Sequence, residues 1–232
     1  MPASFPTWLT SLASVSLALG AFCCLIVAVD VLRRPQKMWI MNVVWPVTML
    51  FGSVAWLWFY HRYGRAGCDG DEPPMAVSVA KGAGHCGAGC AIGDLIAEWL
   101  AFAIPSVAML FGWGSLFTEK TFAVWVLDYL VAFLLGIAFQ YFTIKPMRDL
   151  PVRQGIIQAA KADVLSISAW QIGMYGAMAL AQFAWLRPSY GALAPVDSVL
   201  FWFVMQIAMI AGFATSFPVN WWLVRSGIKE RM

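Results

Sequence analysis

Charge is scarce in this sequence: Asp, Glu, Lys and Arg make up 12% of its 232 residues, against a hydrophobic share of 61% and a mean hydropathy of +0.73. Such a composition excludes an ordinary soluble domain. Histidine is nearly absent, with only His61 and His85, so bis-histidine haem ligation across several helices is excluded. There is no CxxC, no CxxCH, no HExxH and no glycine-rich phosphate loop, which removes the familiar haem, zinc-protease and nucleotide classes. Lys and Arg are scattered between apolar runs and the net charge is only +3, so nucleic-acid binding is disfavoured. The first apolar run, Trp8 to Leu32, lacks a basic leading segment and a small-residue cleavage pattern. It reads as a retained anchor rather than a secretory signal. Five cysteines are an odd number and do not resemble a disulfide framework. No internal repeat or low-complexity tract is present.

What the chain has in abundance is long apolar runs. A bilayer core of roughly 30 Å takes about 20 apolar residues per helical span, so the expected fold is all-α: one polytopic helical membrane domain, residues 1–232, with about six transmembrane helices. The runs are 8–32, 39–60, 86–111, 122–144, 164–186 and 199–224. Proline and glycine mark most breaks, and tryptophans at 8, 39, 99, 185, 202, 221 and 222 lie near run ends, as an aromatic belt requires. Six crossings put both termini on one side. The Lys and Arg split is then ten to five, which places the termini and His85 in the cytoplasm. The dense cluster "RRPQK" falls outside on that count. Either that count misleads or one segment is re-entrant, and Pro46 makes the second span a candidate.

The stretch "GHCGAGCAIGDLIAEW" carries the chemistry. Cys86, Cys90, Asp94 and Glu98 recur every fourth residue. On a helix each lies about 40° around from the last, in a slanted stripe climbing roughly 18 Å. The stripe starts with two thiols backed by His85 and ends with carboxyl groups inside the apolar layer, where a charge costs about 2.5 to 3.5 kcal/mol. Such groups face a cavity, a partner or an ion path. The surrounding glycines, 82, 84, 87, 89 and 93, either admit a neighbouring backbone or loosen the helix start.

Helical spacing holds the two Cβ atoms about 5 to 6 Å apart, whereas a disulfide wants about 3.5 to 4.5 Å. A metal bonded to both sulfurs tolerates the wider spacing, unless the glycines unwind the first turn and let the sulfurs meet. Thiolate, imidazole and thioether together select Cu(I), with Zn(II) as the alternative. Thioethers stand at helical spacing in Met174 and Met178 and in Met205 and Met209, a copper ladder if they face each other. Methionine is equally a common gap-filler in apolar cores.

Asp128, alone in the fourth span, is a functional residue by default or pairs with a neighbouring helix. Gln171, Gln182, Gln206 and Asn220 read first as interhelical hydrogen-bonding groups. Asp30 beside Arg33 and Arg34, and Asp163 beside Lys161, read as solvated anchors. Cys23 and Cys24 read as packing residues, and Cys68 as loop-exposed.

The strings "MWIMNVVWPVT", "GHCGAGCAIGDLIAEW", "KADVLSISAWQIGMYG" and "GFATSFPVNWWLVRSGIKERM" resemble a bacterial integral-membrane family, domain-of-unknown-function family 4396, with a His-Cys-Gly-x-Gly-Cys hallmark. The resemblance implies a multi-pass protein of the bacterial inner membrane and supplies no mechanism.

From the residues themselves the expected function is to bind, and to transport or hand over, a soft metal ion, Cu(I) first. No enzyme signature is present. His85, Cys86 and Cys90 would capture the ion, Met174, Met178, Met205 and Met209 would pass it on, and Asp94, Glu98 and Asp128 would form a proton or ion path. The partners are the lipid bilayer and the ion, with no haem, nucleotide or nucleic acid; a homo-oligomer is compatible with the sequence. Two other readings stand beside this one: a dithiol/disulfide protein cycling Cys86 and Cys90, and an assembly protein whose glycines serve only to pack helices.

Overall fold

The computed structural model describes residues 5–67, 73–144 and 151–231. They form α1 (Thr7–Arg33), α2 (Met41–Phe59), α3 (Met75–Ala103), α4 (Pro105–Leu110), α5 (Lys120–Ile144), α6 (Val152–Ala179), α7 (Arg187–Tyr190) and α8 (Val199–Arg225). Wider π turns extend α2 over Tyr60–Gly64 and join α6 to α7 over Leu180–Leu186. Prolines 6, 74 and 151 stand immediately before α1, α3 and α6, a place where a missing N–H costs nothing. Ser198 caps α8, its Oγ accepting from the Phe201 N–H at 3.2 Å. Six helical segments are long and apolar enough to cross a membrane. Their outward faces stay apolar, with Leu32 80%, Ile172 72% and Leu180 68% exposed, which is a surface suited to lipid.

The second of these segments doubles back. At Ser53 the backbone turns to φ 44°, ψ −132°, a conformation that a non-glycine residue adopts only under local strain. The rings of Trp45 and Tyr60 consequently sit 5.3 Å apart, where fifteen residues of straight helix would separate them by roughly 22 Å. Tyr60 Oη donates to Asp30 Oδ2 at 2.8 Å, and Arg65 Nη2 to Asp30 Oδ1 at 2.8 Å, tying the return arm to the end of α1. Asp30 is therefore a cross-link to α2, not a solvated anchor for Arg33 and Arg34. Near the tip of the hairpin the Leu50 carbonyl accepts from Gln206 Nε2 at 2.6 Å. Irregular backbone at this depth needs such a partner inside the protein. Re-entry in this segment was expected from Pro46; the helix runs through Pro46 and reverses seven residues later.

With α2 folded back, α1, α3, α5, α6 and α8 alternate in direction and the termini lie at opposite ends of the bundle. Arg33, Arg34, Lys37, Arg62, Arg65, Lys81, Arg153, Lys161, Arg225, Lys229 and Arg231 belong to the end that carries the C-terminal tail; among the described residues only Lys120 and Arg187 belong to the other. The "RRPQK" cluster thus joins the basic majority. This corrects the expectation of termini on a shared side, which six full crossings had required.

α3 starts at Met75, eleven residues before Cys86, so the glycine-rich stretch is regular helix and the thiols sit roughly 16 Å inside it. Glycine costs about 1 kcal/mol per residue relative to Ala in a helix. Close packing against α5 offsets that cost here: a Cβ on Gly93 would stand 2.7 Å from Ala132 Cα, and one on Gly89 3.5 Å from Gly136 Cα. α6 lies along α8 and also meets α3 and α5, enclosing the face of α3 that carries the stripe. Cys23 is buried in the α1–α2 contact with Val27, Trp45 and Tyr60, in keeping with a packing role. Cys68 lies outside the described residues.

A buried thiol and carboxyl stripe as the candidate functional site

All four members of the stripe are buried: Cys86, Cys90 and Asp94 completely or nearly so, Glu98 with 5% exposure. They do not share one environment.

At the basic end, Cys86 sits in a polar cluster drawn from α3, α6, α8 and the tail. Lys229 Nζ donates to Cys86 Sγ, to Asp163 Oδ1 and to Asn220 Oδ1, each at 3.0 Å. An ammonium has three protons, and here all three are used. Cys86 Sγ donates to Asp163 Oδ1 at 3.3 Å and accepts from Ser166 Oγ at 3.1 Å. Asn220 Nδ2 donates to Ser166 Oγ at 2.7 Å and to the Ser216 carbonyl at 3.0 Å. Each donor of Lys229, Cys86 and Ser166 thus has an acceptor, while Asp163 Oδ2 has no partner among the described residues. Burial presses Lys229 toward neutrality, but the Asp163 carboxylate and Cys86 outweigh it and hold the ammonium above its ordinary pKa.

Asp163 and Lys229 were not expected in this site; Asp163 was read as a solvated anchor paired with Lys161. Its side chain is instead wholly enclosed and ion-paired with Lys229, because α6 begins at Val152 and buries the turn holding Asp163. The signal was present in polar residues at helical spacing within apolar runs: Asp163 and Ser166 at i, i+3, and Ser216 and Asn220 at i, i+4. Lys229 carried no such signal, since it lies beyond the last helix.

Farther along the stripe the polar groups are barely partnered. Asp94 Oδ1 accepts a long bond from Gln171 Nε2 at 3.4 Å, and Asp94 Oδ2 and both Asp128 oxygens have no partner among the described residues. Asp128 of α5 is within electrostatic reach of both Glu98 and Asp94. Glu98 lines a cavity of about 280 Å³ at the opposite end of the bundle, walled also by Lys120, Gln182, Ala194 and Phe201. Gln182 Nε2 donates to the Ala194 carbonyl and its Oε1 accepts from the Ala194 N–H, a structural role, though toward the loop between α7 and α8 rather than the neighbouring helix expected.

The predicted sulfur ligands fall within one contiguous cluster of buried side chains. Cys86, Cys90, Met174, Met178, Met205 and Met209 all belong to it, with Trp170 and Phe51. Met205 and Met209 also line a side cavity of about 370 Å³ together with Ala91 and Leu95, one residue around α3 from Cys90 and Asp94. His85 does not join the thiols. Its Nε2 is 3.1 Å from Thr143 Oγ1 on α5, a hydroxyl that is also 3.1 Å from the Phe139 carbonyl, while Nδ1 has no partner among the described residues. Adjacent residues point about 100° apart on a helix, which is why His85 and Cys86 face different neighbours. Among the described residues no three His, Cys, Asp or Glu side chains converge as a metal-ligand group. Nor does the helix unwind at the glycines, the condition under which Cys86 and Cys90 could meet as a disulfide.

The class these features define is a multi-pass helical membrane protein whose interior carries a line of ionisable groups. A family model described as "Domain of unknown function (DUF4396)" matches residues 77–229, about two thirds of the chain, and the protein belongs to that family. The match runs from the first turn of α3 to Lys229, so it contains every residue of the Cys86 cluster and of the carboxyl line. No curated protein and no solved structure matches the chain.

Proposed function

We propose that this protein binds a soft monovalent metal ion, Cu(I), through Cys86 and Cys90 and moves or hands it over along the interior of the bundle. The observation that carries the reading is the shared burial of two thiols and four thioethers in one cluster, continuous along α3 with carboxyl groups that end at a cavity on the far side. Thiolate and thioether select Cu(I). Zn(II) asks for four ligands of nitrogen, oxygen or thiolate, and no three His, Cys, Asp or Glu side chains converge as one ligand group among the described residues. His85 is left out of the ligand set, since it is not gathered with the two thiols into a metal-ligand group among the described residues. Asp94, Asp128 and Glu98 take the protons that thiolate ligation releases.

By the positive-inside rule the basic end faces the cytoplasm, so the thiols lie in the cytoplasmic half of a bacterial inner membrane, the location that the resemblance implies. The test is metal content. Protein purified after anaerobic loading with Cu(I) should carry about one ion per chain, and the Cys86→Ala/Cys90→Ala variant none. Equal copper in both would remove the reading.

A further inference from the structure

Lys229 is the one charged side chain of the tail placed inside the bundle, and it is 3% exposed. Its ammonium is held as a small cation would be, by sulfur, carboxylate and amide oxygen at 3.0 Å each, from three different helices. The cradle has capacity to spare, since Asp163 Oδ2 is buried and unpartnered among the described residues. The segment that delivers Lys229 is short. After α8 ends at Arg225 the chain turns through Gly227 at φ 73°, and the Ile228 and Lys229 N–H groups both lean on the single Leu223 carbonyl, at 3.0 and 3.1 Å. Beside it a cavity of about 270 Å³, lined by Gly227, Ile228, Ala162 and Lys161, opens at the basic end.

The geometry points to a cation-binding cradle formed by Cys86, Asp163 and Asn220, in which Lys229 is a tethered occupant that must swing out on the C-terminal tail before a soft monovalent cation can enter. One positive charge is exchanged for another, so the buried carboxylate never stands uncompensated. The cavity beside the tail gives the departing side chain a route. This inference rests on the soft-metal reading for the identity of the incoming ion, and it adds a second site to that reading: Cys86 is reached only when the tail has left.

Ag(I), an air-stable stand-in for Cu(I), is the probe. In detergent-solubilised full-length protein, acylation of Lys229 by an amine-reactive ester, read by peptide mass spectrometry, should rise at least tenfold when one equivalent of Ag(I) binds. The Lys229→Leu variant, which adds no ligand of its own, has no occupant to expel and should bind Ag(I) at least tenfold more tightly. Wild-type protein that takes up silver with Lys229 as protected as before would overturn the tethered-occupant mechanism and leave the soft-metal reading standing. A folded Lys229→Leu variant with unchanged or weaker affinity would do the same. Silver bound by neither protein would overturn the soft-metal reading and the mechanism with it. Should the variant fail to fold, the wild-type labelling decides alone.

Discussion

The two halves of the stripe on α3 are built from similar polar material and treated in opposite ways. Around Cys86 every donor of the lysine, thiol and hydroxyl has an acceptor, a buried cation is matched to a buried carboxylate, and one carboxyl oxygen, Asp163 Oδ2, is left without a partner among the described residues. Around Asp94 and Asp128 three carboxyl oxygens have no partner among the described residues. A satisfied buried network holds helices in register; an unsatisfied one costs free energy and persists where something other than stability requires it. The difference separates the part of the site that holds α3, α6, α8 and the tail together from a part whose buried carboxyl groups add nothing visible to stability.

Breaking the satisfied half should have the largest effect. Lys229→Met leaves Asp163 as an unpaired buried charge, and losing one partner of such a pair costs about 3–5 kcal/mol. Thermal unfolding in detergent should show that loss, and adding Asp163→Asn should restore most of it. If the single variant melts with the wild type, the ion pair does not fasten the tail. Next comes the α3–α5 contact that positions both halves. Gly93→Val drives a side chain into the Ala132 backbone, an overpacking worth about 1–3 kcal/mol, read as reduced folded yield and a lower melting temperature.

The unsatisfied half should respond in the reverse sense. Asp128→Asn forfeits no hydrogen bond that the described residues supply, so stability should change by no more than about 1 kcal/mol, while uptake of Cu(I) or Ag(I) into proteoliposomes falls at least tenfold. A several-kcal/mol loss of stability with uptake intact would erase the contrast between the halves. The smallest effect on the site is expected at His85. His85→Asn should leave metal per chain within error of wild type, because the ring bonds Thr143 and is not gathered with the thiols into a ligand group among the described residues. A loss of metal equal to that of the Cys86→Ala/Cys90→Ala variant would restore histidine to the ligand set.

Much of this could be read along the chain. Apolar runs long enough to span a bilayer gave the helices, and their limits in the structure fall within three residues of the expected ones for α1, α2, α5 and α8. The four-residue spacing from Cys86 to Glu98 put the stripe on one side of α3, and burial of all four agrees with it. Where α3 and α6 begin was not legible, because "MAVSVAKGAG" and "RQGIIQAAKAD" are helices without strong apolar periodicity, stabilised by packing against other helices rather than by local preference. Asp163 was misread for that reason. The reversal of α2 was half legible: a re-entrant segment was one of two ways to account for the charge imbalance, but nothing local distinguishes Ser53, whose strained backbone is held by contacts from α1 and α8.

The sequence by itself determined an all-helical membrane chain with thiols and carboxyl groups aligned on one helix, since hydropathy and helical spacing are local properties carried by neighbouring residues. Only the tertiary structure decided which groups meet: His85 with Thr143, Cys86 with Lys229 from 143 positions away, and Asp94 with almost nothing. Those pairings follow from which helices cross and at what depth. That depends on packing between distant segments, where backbone approach at Gly93 and the fold-back of α2 set the geometry and no local pattern records it.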